Sequence, residues 1–310
     1  MKGFILAAGF GERLRPLTRR IAKALMPVVN VPVICYALHL LKEAGIRDIL
    51  CNLHYRSQDI IDFFEQHASF DLNITFSREE EILGTGGGVK RCERLIGESD
   101  FVLINSDVVT DLDITALIDA HRAGSNGATL ALFRTEEAAS LGSIALRDGR
   151  VVDLGNIRST GIASDLIYTG CAVLSPQIFQ YLRTEYSSIV DTGYCGLIEN
   201  HRIGSYIHPG IWRDIGRPLS YWQTNMDMID VNGKLRDRLS SALGIQSEIV
   251  FPGAIVHESA RVENSVIGDG ANVGENAFVA DSVVLPGARI PDNCTVKSAI
   301  VYREGMLMMS

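Results

Sequence analysis

Hydrophobic residues in the first two thirds of the chain fall in short unbroken runs that alternate with amphipathic stretches. Lys2–Ala7 (KGFILA) reads as a buried strand and Val31–Gly45 as an apolar helix that stops on a glycine. Asp48–Leu53 reads as a strand, and Ser57–His67 (SQDIIDFFEQH) as an amphipathic helix opened by a serine cap. The alternation goes on with a strand at Asn73–Phe76, a helix through Lys90–Leu95, a strand at Phe101–Asn105, a helix at Ile114–Arg122 and a strand at Ala128–Arg134. Repeated strand–helix–strand units imply an α/β, Rossmann-like, mostly parallel sheet with helices on both faces. Past Ser143 the pattern turns to a hairpin, Ile144–Leu146 and Val151–Leu154 joined at Asp148–Gly149, which is expected to form a lid or a substrate-side extension.

From about Glu248 the period changes to six. Aliphatic residues stand at Val250, Val256 and Val262, then after a five-residue step at Ile267, Val273 and Val279, then after another at Val284, Ile290 and Val296. Small residues (Ala254, Ala260, Ala271, Ala277, Ala288) precede them by two positions. This is the hexapeptide repeat of a parallel β-helix, in which each aliphatic side chain points into a narrow prism. Ordinary hairpins would show period two instead. The implied organisation is a main domain over residues 1–228, a helical linker over 229–247 with a break at Gly233, a β-helix over 248–303 and a tail over 304–310. The apolar tail Met306–Met309 is either a covered contact or a disordered end.

Composition adds limits to this picture. The chain has 310 residues, 46% hydrophobic and 21% charged, which is enough for one large domain and a small one. A formal net charge of -8, with no basic tract outside the first loop, argues against nucleic acid as a partner. No apolar stretch reaches membrane-spanning length, and the short run after Lys2 leads into arginines rather than a cleavage site. The six cysteines have neither zinc-like nor disulfide-framework spacing, so they are expected to be reduced core residues of a cytoplasmic protein.

One loop stands out against the acidic background. The stretch that runs from GFGERLRPLT through AKALMP carries five cations, Arg13, Arg15, Arg19, Arg20 and Lys23, against the single acid Glu12. Gly9 and Gly11 let the backbone turn its N–H groups toward phosphate oxygens, and Arg13 offers a planar fork of donors. The glycines alone fit a plain tight turn equally well, and they complete neither the dinucleotide fingerprint nor a Walker ending. Asp107 in FVLINSDVV sits just past an apolar strand, where it could hold magnesium or cap a turn. Asp214 in WRDIGRP is either a buried turn-maker or a ligand. The glycine run Gly86–Gly88 in EILGTGGGVK is either an open approach for a base or phosphate, or a hinge.

Taken together and in order, LAAGFGERLRPLT, AKALMP, LGTGGG, NSDVV and WRDIGRP, followed by hexapeptide repeats, resemble the sugar-1-phosphate nucleotidylyltransferases over nearly the whole chain. The resemblance is nearest to the mannose-1-phosphate guanylyltransferase group with a C-terminal left-handed β-helix. It implies transfer of a nucleoside monophosphate from a nucleoside triphosphate to a sugar 1-phosphate with Mg2+, here GTP and mannose 1-phosphate. The alternatives are UTP or dTTP with glucose, N-acetylmuramate or heptose 1-phosphate, or a catalytically silent regulatory paralogue. Under the resemblance Arg13, Lys23, Asp107 and Asp214 are catalytic, and Asp107 and Asp214 hold the metal. Leu6, Ala7, Ala8, Gly9, Gly11, Glu12, Arg13, Thr85, Gly86 and Gly87 bind the nucleotide, and Gly142, Asn156, Thr169 and Gly170 lie beside the sugar. Two departures are visible: Ala22 stands where the family places proline before the lysine, and VVDLGNIRS replaces a Glu–Lys–Pro clamp, for which Asn156 or Arg158 could substitute. An acyltransferase centred on the repeats is disfavoured, since His257, the only histidine there, sits in an uninterrupted hexapeptide. The flat sides of the solenoid point to a homo-oligomer.

Overall fold

In the computed structural model, which describes residues 1–200, 202–230 and 233–309, the chain divides into two compact units. One comprises Met1–Phe10 with Leu40–Trp212, and the other Gly11–His39 with Arg213–Ser310.

The first unit is built on a nine-stranded mixed sheet. Its strands are β1 (Lys2–Leu6), β2 (Asp48–Leu53), β3 (Asn73–Arg78), β4 (Phe101–Asn105), β5 (Ala128–Arg134), β6 (Ile144–Arg147), β7 (Arg150–Leu154), β8 (Leu166–Leu174) and β9 (Ile203–Ile207). They lie in the order β3-β2-β1-β4-β8-β5-β9-β7-β6. The first four are parallel; β8 runs antiparallel to both β4 and β5, and β7 antiparallel to both β9 and β6. Strands β1 and β4 are buried on both faces along their middles, as the unbroken apolar runs require of a sheet covered on each side. Phe4, Leu50, Leu103, Leu130 and Ala172 stand in one core cluster with Ile178, Tyr194 and Leu197.

Most element expectations hold, and the differences have local causes. The helix expected from Val31 begins at Ile34 as α1 (Ile34–Glu43), because Val31–Pro32 pairs with Pro27–Val28 in a small hairpin. Val29 and Asn30 turn it with φ of 46° and 62°. Helix α2 (Ser57–Gln66) has Arg56, in the left-handed region, at its N-cap, and Ser57 is the first helical residue rather than the cap. The glycine run is itself helical, α3 (Gly84–Arg91), and a break at Cys92 separates it from a short helix at Glu93–Ile96. Helix α4 (Ile114–Gly124) is capped by Asp113, which accepts from Ala116 N. The hairpin β6–β7 turns at Asp148–Gly149 with both φ positive, and it forms the edge of the main sheet instead of a lid.

The second unit joins the basic loop to the solenoid. After short helical turns at Glu12–Leu14, Leu17–Arg19 and Lys23–Leu25 comes the Pro27–Pro32 hairpin, which is gripped from two sides. Helix α5 (Pro218–Asp230) gives Val29 N an acceptor in Asn225 Oδ1 at 2.8 Å, and its Tyr221 hydroxyl donates to Pro27 O. Asn30 Nδ2 donates to the carbonyls of Glu248 and Ile267 in the first coil. Helix α6 (Gly233–Leu243) follows, and the break expected at Gly233 adjoins residues 231–232, which lie outside the described residues.

The β-helix has three flat sheets, with Ile255 over Asn272 over Arg289, Arg261 over Phe278 over Thr295, and Val266 over Val283 over Ile300. Each coil therefore takes seventeen residues, the sum of two six-residue sides and one five-residue side, which is the spacing that the slips at Ile267 and Val284 announce. Ile267, Val273, Val279, Val284, Ile290 and Val296 fill the prism with Ala271, Ala277 and Ala288. A serine ladder runs up one corner, where Ser282 N donates to Ser265 Oγ and Ala299 N to Ser282 Oγ. Gly305–Met308 is not disordered: it folds back antiparallel on Ala299–Tyr302 as an edge strand.

Candidate active site

Four parallel strands deliver their carboxyl ends to the same edge of the sheet, where open α/β sheets hold ligands. Leu6 ends β1, and Ala7 and Ala8 are buried behind it while Gly9 is exposed. Phe10 anchors the end of this stretch, its ring edge-on to His54 at 5.1 Å and tilted against Tyr55 at 5.7 Å. Ala7 N donates to Asn52 Oδ1 at 3.0 Å, near the end of β2. Asp107, partly buried, follows the end of β4, where Ser106 N donates to Leu6 O.

The glycine run lies far along the chain from β1 and just ahead of β4, and it is built into the same unit. Cβ atoms on Gly84 and Gly86 would meet Ser187 O at 2.6 Å and Ser187 Oγ at 2.7 Å, and one on Gly87 would strike Glu185 O. Thr85 Oγ1 accepts from Ile189 N at 2.9 Å, and Gly86 N donates to Ser187 O. The run is thus a helix packed at close range against the 185–189 segment, which fills the side its glycines leave open, so on that side it is neither a hinge nor an open approach for a base or phosphate.

The candidate sugar residues occupy two places. Thr169 and Gly170 lie at an irregularity of β8, where Gly170 has φ of +83° and the Asn105 side chain fills the space a Cβ would take. Thr169 turns its hydroxyl inward to Ala131 O, and its own carbonyl accepts from Trp212 Nε1 at 2.9 Å. Gly142 ends a short helix with φ of +97°. Asn156 is exposed at a left-handed corner of the 155–160 loop, and Asp153 holds that loop. The carboxylate accepts from Arg158 N, Thr160 N and Thr160 Oγ1 at 3.0 to 3.1 Å. Burial opposes its ionisation, but these bonds outweigh burial and hold the carboxyl below its ordinary value.

In the second unit the basic loop is drawn together around Gly11. Gly11 has φ of +66°, and its carbonyl accepts from Leu14 N and Thr18 Oγ1. A Cβ there would lie 2.9 Å from Thr18 Cγ2 and 3.1 Å from Lys23 Cβ, so only glycine lets the loop's two ends close. Arg13 and Glu12 are exposed, and Glu12 pairs with Arg15 at 3.5 Å. Asp214 receives Gly216 N at 3.3 Å, the turn-making bond. Its other oxygen and Arg13 Nη2 lie 2.9 and 3.3 Å from where a Gly216 Cβ would stand, so a carboxylate and a guanidinium share the space that this glycine leaves. A cation donor fork beside a carboxylate suits a phosphate that arrives with its own metal ion.

Among the described residues no group of three or more His, Cys, Asp and Glu could cage a metal. One or two carboxylates are what magnesium asks of a protein when substrate phosphates and water complete its shell, so a single carboxylate such as Asp107 in the first unit, or Asp214 in the second, has the donor chemistry that ion takes. Asn52, Glu79, Asn105 and Asp153 are the polar groups that sequence reasoning missed: Asn52 and Asp153 are single polar residues between apolar strand neighbours, Asn105 ends an apolar strand, and Glu79 is hidden in the charged run SREEE. The cysteines are all free, four of them buried, and burial pushes the thiols of Cys35, Cys51 and Cys171 well up. Among the described residues no helix is long and apolar enough to cross a membrane.

Residues 2–231 match the family model described as Nucleotidyl transferase, and residues 235–308 match GlmU-like, C-terminal hexapeptide. The mannose-1-phosphate guanyltransferase of Hypocrea jecorina is 30% identical over 226 residues, which cover 71% of this chain and 62% of the relative. That of Debaryomyces hansenii is 32% identical with the same coverage. Mannose-1-phosphate guanyltransferase 2 of Candida glabrata is 28% identical over 256 residues, 81% of this chain and 71% of the relative. The matched stretch thus spans 62% of the length of the first two. A provisionally assigned glucose-1-phosphate thymidylyltransferase from Bacillus anthracis, solved with a sucrose, aligns with a TM-score of 0.68 at 24% identity, over 75% of this chain and 96% of its own. HddC from Yersinia pseudotuberculosis, complexed with GMP-PN, aligns with a TM-score of 0.62 at 22% identity, over 73% and 99%. At these identities the likeness is one of fold.

Proposed function

The chain belongs to the nucleotidyl transferase family, and from that premise we propose that it transfers a nucleoside monophosphate from a nucleoside triphosphate to a sugar 1-phosphate. An oxygen of the sugar phosphate attacks the α-phosphorus in line. The new P–O bond forms as the bond to the bridging oxygen breaks, and pyrophosphate leaves with that electron pair. The nucleophile is already an anion, so the reaction asks for alignment and charge neutralisation rather than for a base.

The observation that carries this reading is the placement of Arg13 and Asp214 about the space at Gly216, a phosphate fork beside a metal-competent carboxylate. Arg13 binds the leaving pyrophosphate portion, and Lys23 the oxygens of the α-phosphate under attack. Leu6, Ala7, Ala8, Gly9, Gly11, Glu12, Thr85, Gly86 and Gly87 take the nucleotide, and Gly142, Asn156, Thr169 and Gly170 the sugar. Magnesium held by Asp107 and Asp214 would offset the phosphate charge of both reactants.

For the substrate pair the reading is GTP and mannose 1-phosphate, giving GDP-mannose. The fungal mannose-1-phosphate guanyltransferases support it, being similar over 226 residues or more. Six free cysteines and phosphorylated substrates support a reducing, cytoplasmic setting. Residues 1–228 act as the catalytic domain, 229–247 as a linker and 248–303 as a β-helix through which copies associate.

The test is a pyrophosphate-release screen of the common nucleoside triphosphates against a panel of sugar 1-phosphates, with and without magnesium. Release is expected only with the metal and is highest with GTP and mannose 1-phosphate. Full activity in Lys23→Ala or Asp107→Ala would overturn the assigned roles.

A further inference from the structure

Asn52 and Glu79 are both buried, at 1% and 5% exposure, and they form a relay of three hydrogen bonds through one region of the first unit. Ala7 N donates to Asn52 Oδ1 at 3.0 Å, Asn52 Nδ2 donates to Glu79 Oε1 at 2.8 Å, and Leu83 N donates to Glu79 Oε2 at 2.9 Å. The polarity of the relay is fixed from both ends. Two backbone N–H groups can only donate, so Asn52 must turn its oxygen to Ala7 and its NH2 to Glu79, and Glu79 must accept through both oxygens. Glu79 is itself held by its main chain, with its N donating to Leu53 O and its O meeting His54 Nδ1 at 2.9 Å.

The relay also accounts for Gly88. A Cβ there would lie 2.7 Å from both Asn52 Nδ2 and Glu79 Oε1, so the glycine lets α3 settle directly on the pair. Three segments are thereby tied at fixed separation: the end of β1, the end of β2, and the 79–83 turn that opens α3.

We infer that Asn52 and Glu79 are positioning residues that set the width of the nucleotide pocket, holding the Ala7–Gly9 stretch against the Thr85–Gly87 turn without touching substrate themselves. This rests on the reading that those two stretches bind the nucleotide. A narrow slot discriminates between bases only if its walls cannot yield, and a charge-assisted relay in a buried place is stiffer than neutral bonds.

The test uses Glu79→Gln, Asn52→Asp and the double variant. Glu79→Gln turns an NH2 toward groups that themselves donate, and Asn52→Asp sets two carboxylates face to face. The double variant restores all three bonds at unchanged net charge. Its middle bond is reversed, with the amide introduced at position 79 donating to the carboxylate introduced at position 52. Each single change is expected to raise KM for the nucleoside triphosphate about tenfold and to level the preference among bases, leaving KM for the sugar phosphate within about twofold. The double variant is expected to recover most of the nucleotide KM. Unchanged nucleotide KM, equal rises for both substrates, or a double variant no better than the poorer single one would overturn the inference. If a single variant does not fold, the double variant decides alone: a cooperative melt with nearly native nucleotide KM supports the relay, and its absence overturns it. If the native chain releases no pyrophosphate from any pair, the functional reading fails, and calorimetric binding of magnesium–GTP to the same variants then decides the relay on the same comparison.

Discussion

The hydroxyl of Thr18 donates to the carbonyl oxygen of Gly11 at 2.8 Å, across seven residues of the basic loop. That bond and the positive φ of Gly11 close the loop so that Arg13 and Lys23 leave it at set positions. Thr18→Val removes the donor from a buried place and is expected to cost about 1 kcal/mol of stability. Gly11→Ala adds a left-handed strain of about 1–2 kcal/mol and a contact of 2.9 Å with Thr18. Both variants should raise KM for the nucleoside triphosphate, whereas a surface control with the same loss of melting temperature should leave it unchanged. Steady-state kinetics beside thermal melts check this, and an unchanged nucleotide KM would count against the loop as the phosphate cradle.

His121 on α4 is 3% exposed, its Nδ1 facing Thr129 Oγ1 at 3.0 Å and its Nε2 facing Ser175 Oγ at 3.3 Å. Burial pulls its pKa below the ordinary 6.5; Asp100 at 3.7 Å acts against this and Arg122 with it. A histidine held neutral in the fold contributes stability that is fully present above the unfolded value and is lost as pH falls through the lower folded one. The melting temperature should therefore drop as pH is lowered from about 7 to about 5, and less steeply in His121→Gln. Parallel slopes for the two proteins would rule out His121 as the source.

Much of this fold is legible because its signals are local. Asp48–Leu53, Phe101–Asn105 and Ala128–Arg134 are apolar runs long enough to be strands in any setting, and they are strands with those bounds. The seventeen-residue coil is legible for the same reason, since each side repeats its neighbour's demand for one aliphatic and one small residue. The Pro27–Pro32 hairpin is not, because two-residue strands have no periodicity and this one is held by Asn225 and Glu248, about two hundred positions away. The candidate site divides likewise. Arg13, Asp107 and Asp214 sit in recognisable motifs, whereas Asn52 and Glu79 meet across twenty-seven residues and Ala7 and Asn52 across forty-five. Nothing in CNLHY or SREEE announces those bonds, which exist only once three strand ends are brought together.

The terminal strand Gly305–Met308 lies at the edge of its four-stranded sheet, with Met306 46% and Met308 59% exposed. An apolar edge with no proline or lysine in it is an open template for pairing, and two copies meeting antiparallel there would satisfy a two-fold axis. If copies associate through the solenoid, Met306→Lys with Met308→Lys should reduce the mass measured by light scattering while leaving pyrophosphate release per chain unchanged. An unaltered mass would place the contact elsewhere.

Asp153 gives the last separation between fold and function. It is 2% exposed, and it gathers the 155–160 loop that carries Asn156 and Arg158. Because its folded pKa lies below the ordinary 3.8, its contribution is present above that value and is lost only as pH falls through the lower one, so neutral-pH kinetics report the intact loop. Asp153→Asn keeps the shape but points an NH2 at groups that donate, which should cost about 1–3 kcal/mol. The 155–160 loop follows Asp153 in the stretch where the resemblance leads one to expect a sugar-phosphate clamp. If it replaces the clamp, Asp153→Asn should raise KM for the sugar 1-phosphate and leave KM for the nucleotide alone, the reverse of what Glu79→Gln should do. Measured side by side, the two variants should therefore move opposite substrates. A common shift in both would mean that each had merely loosened the sheet.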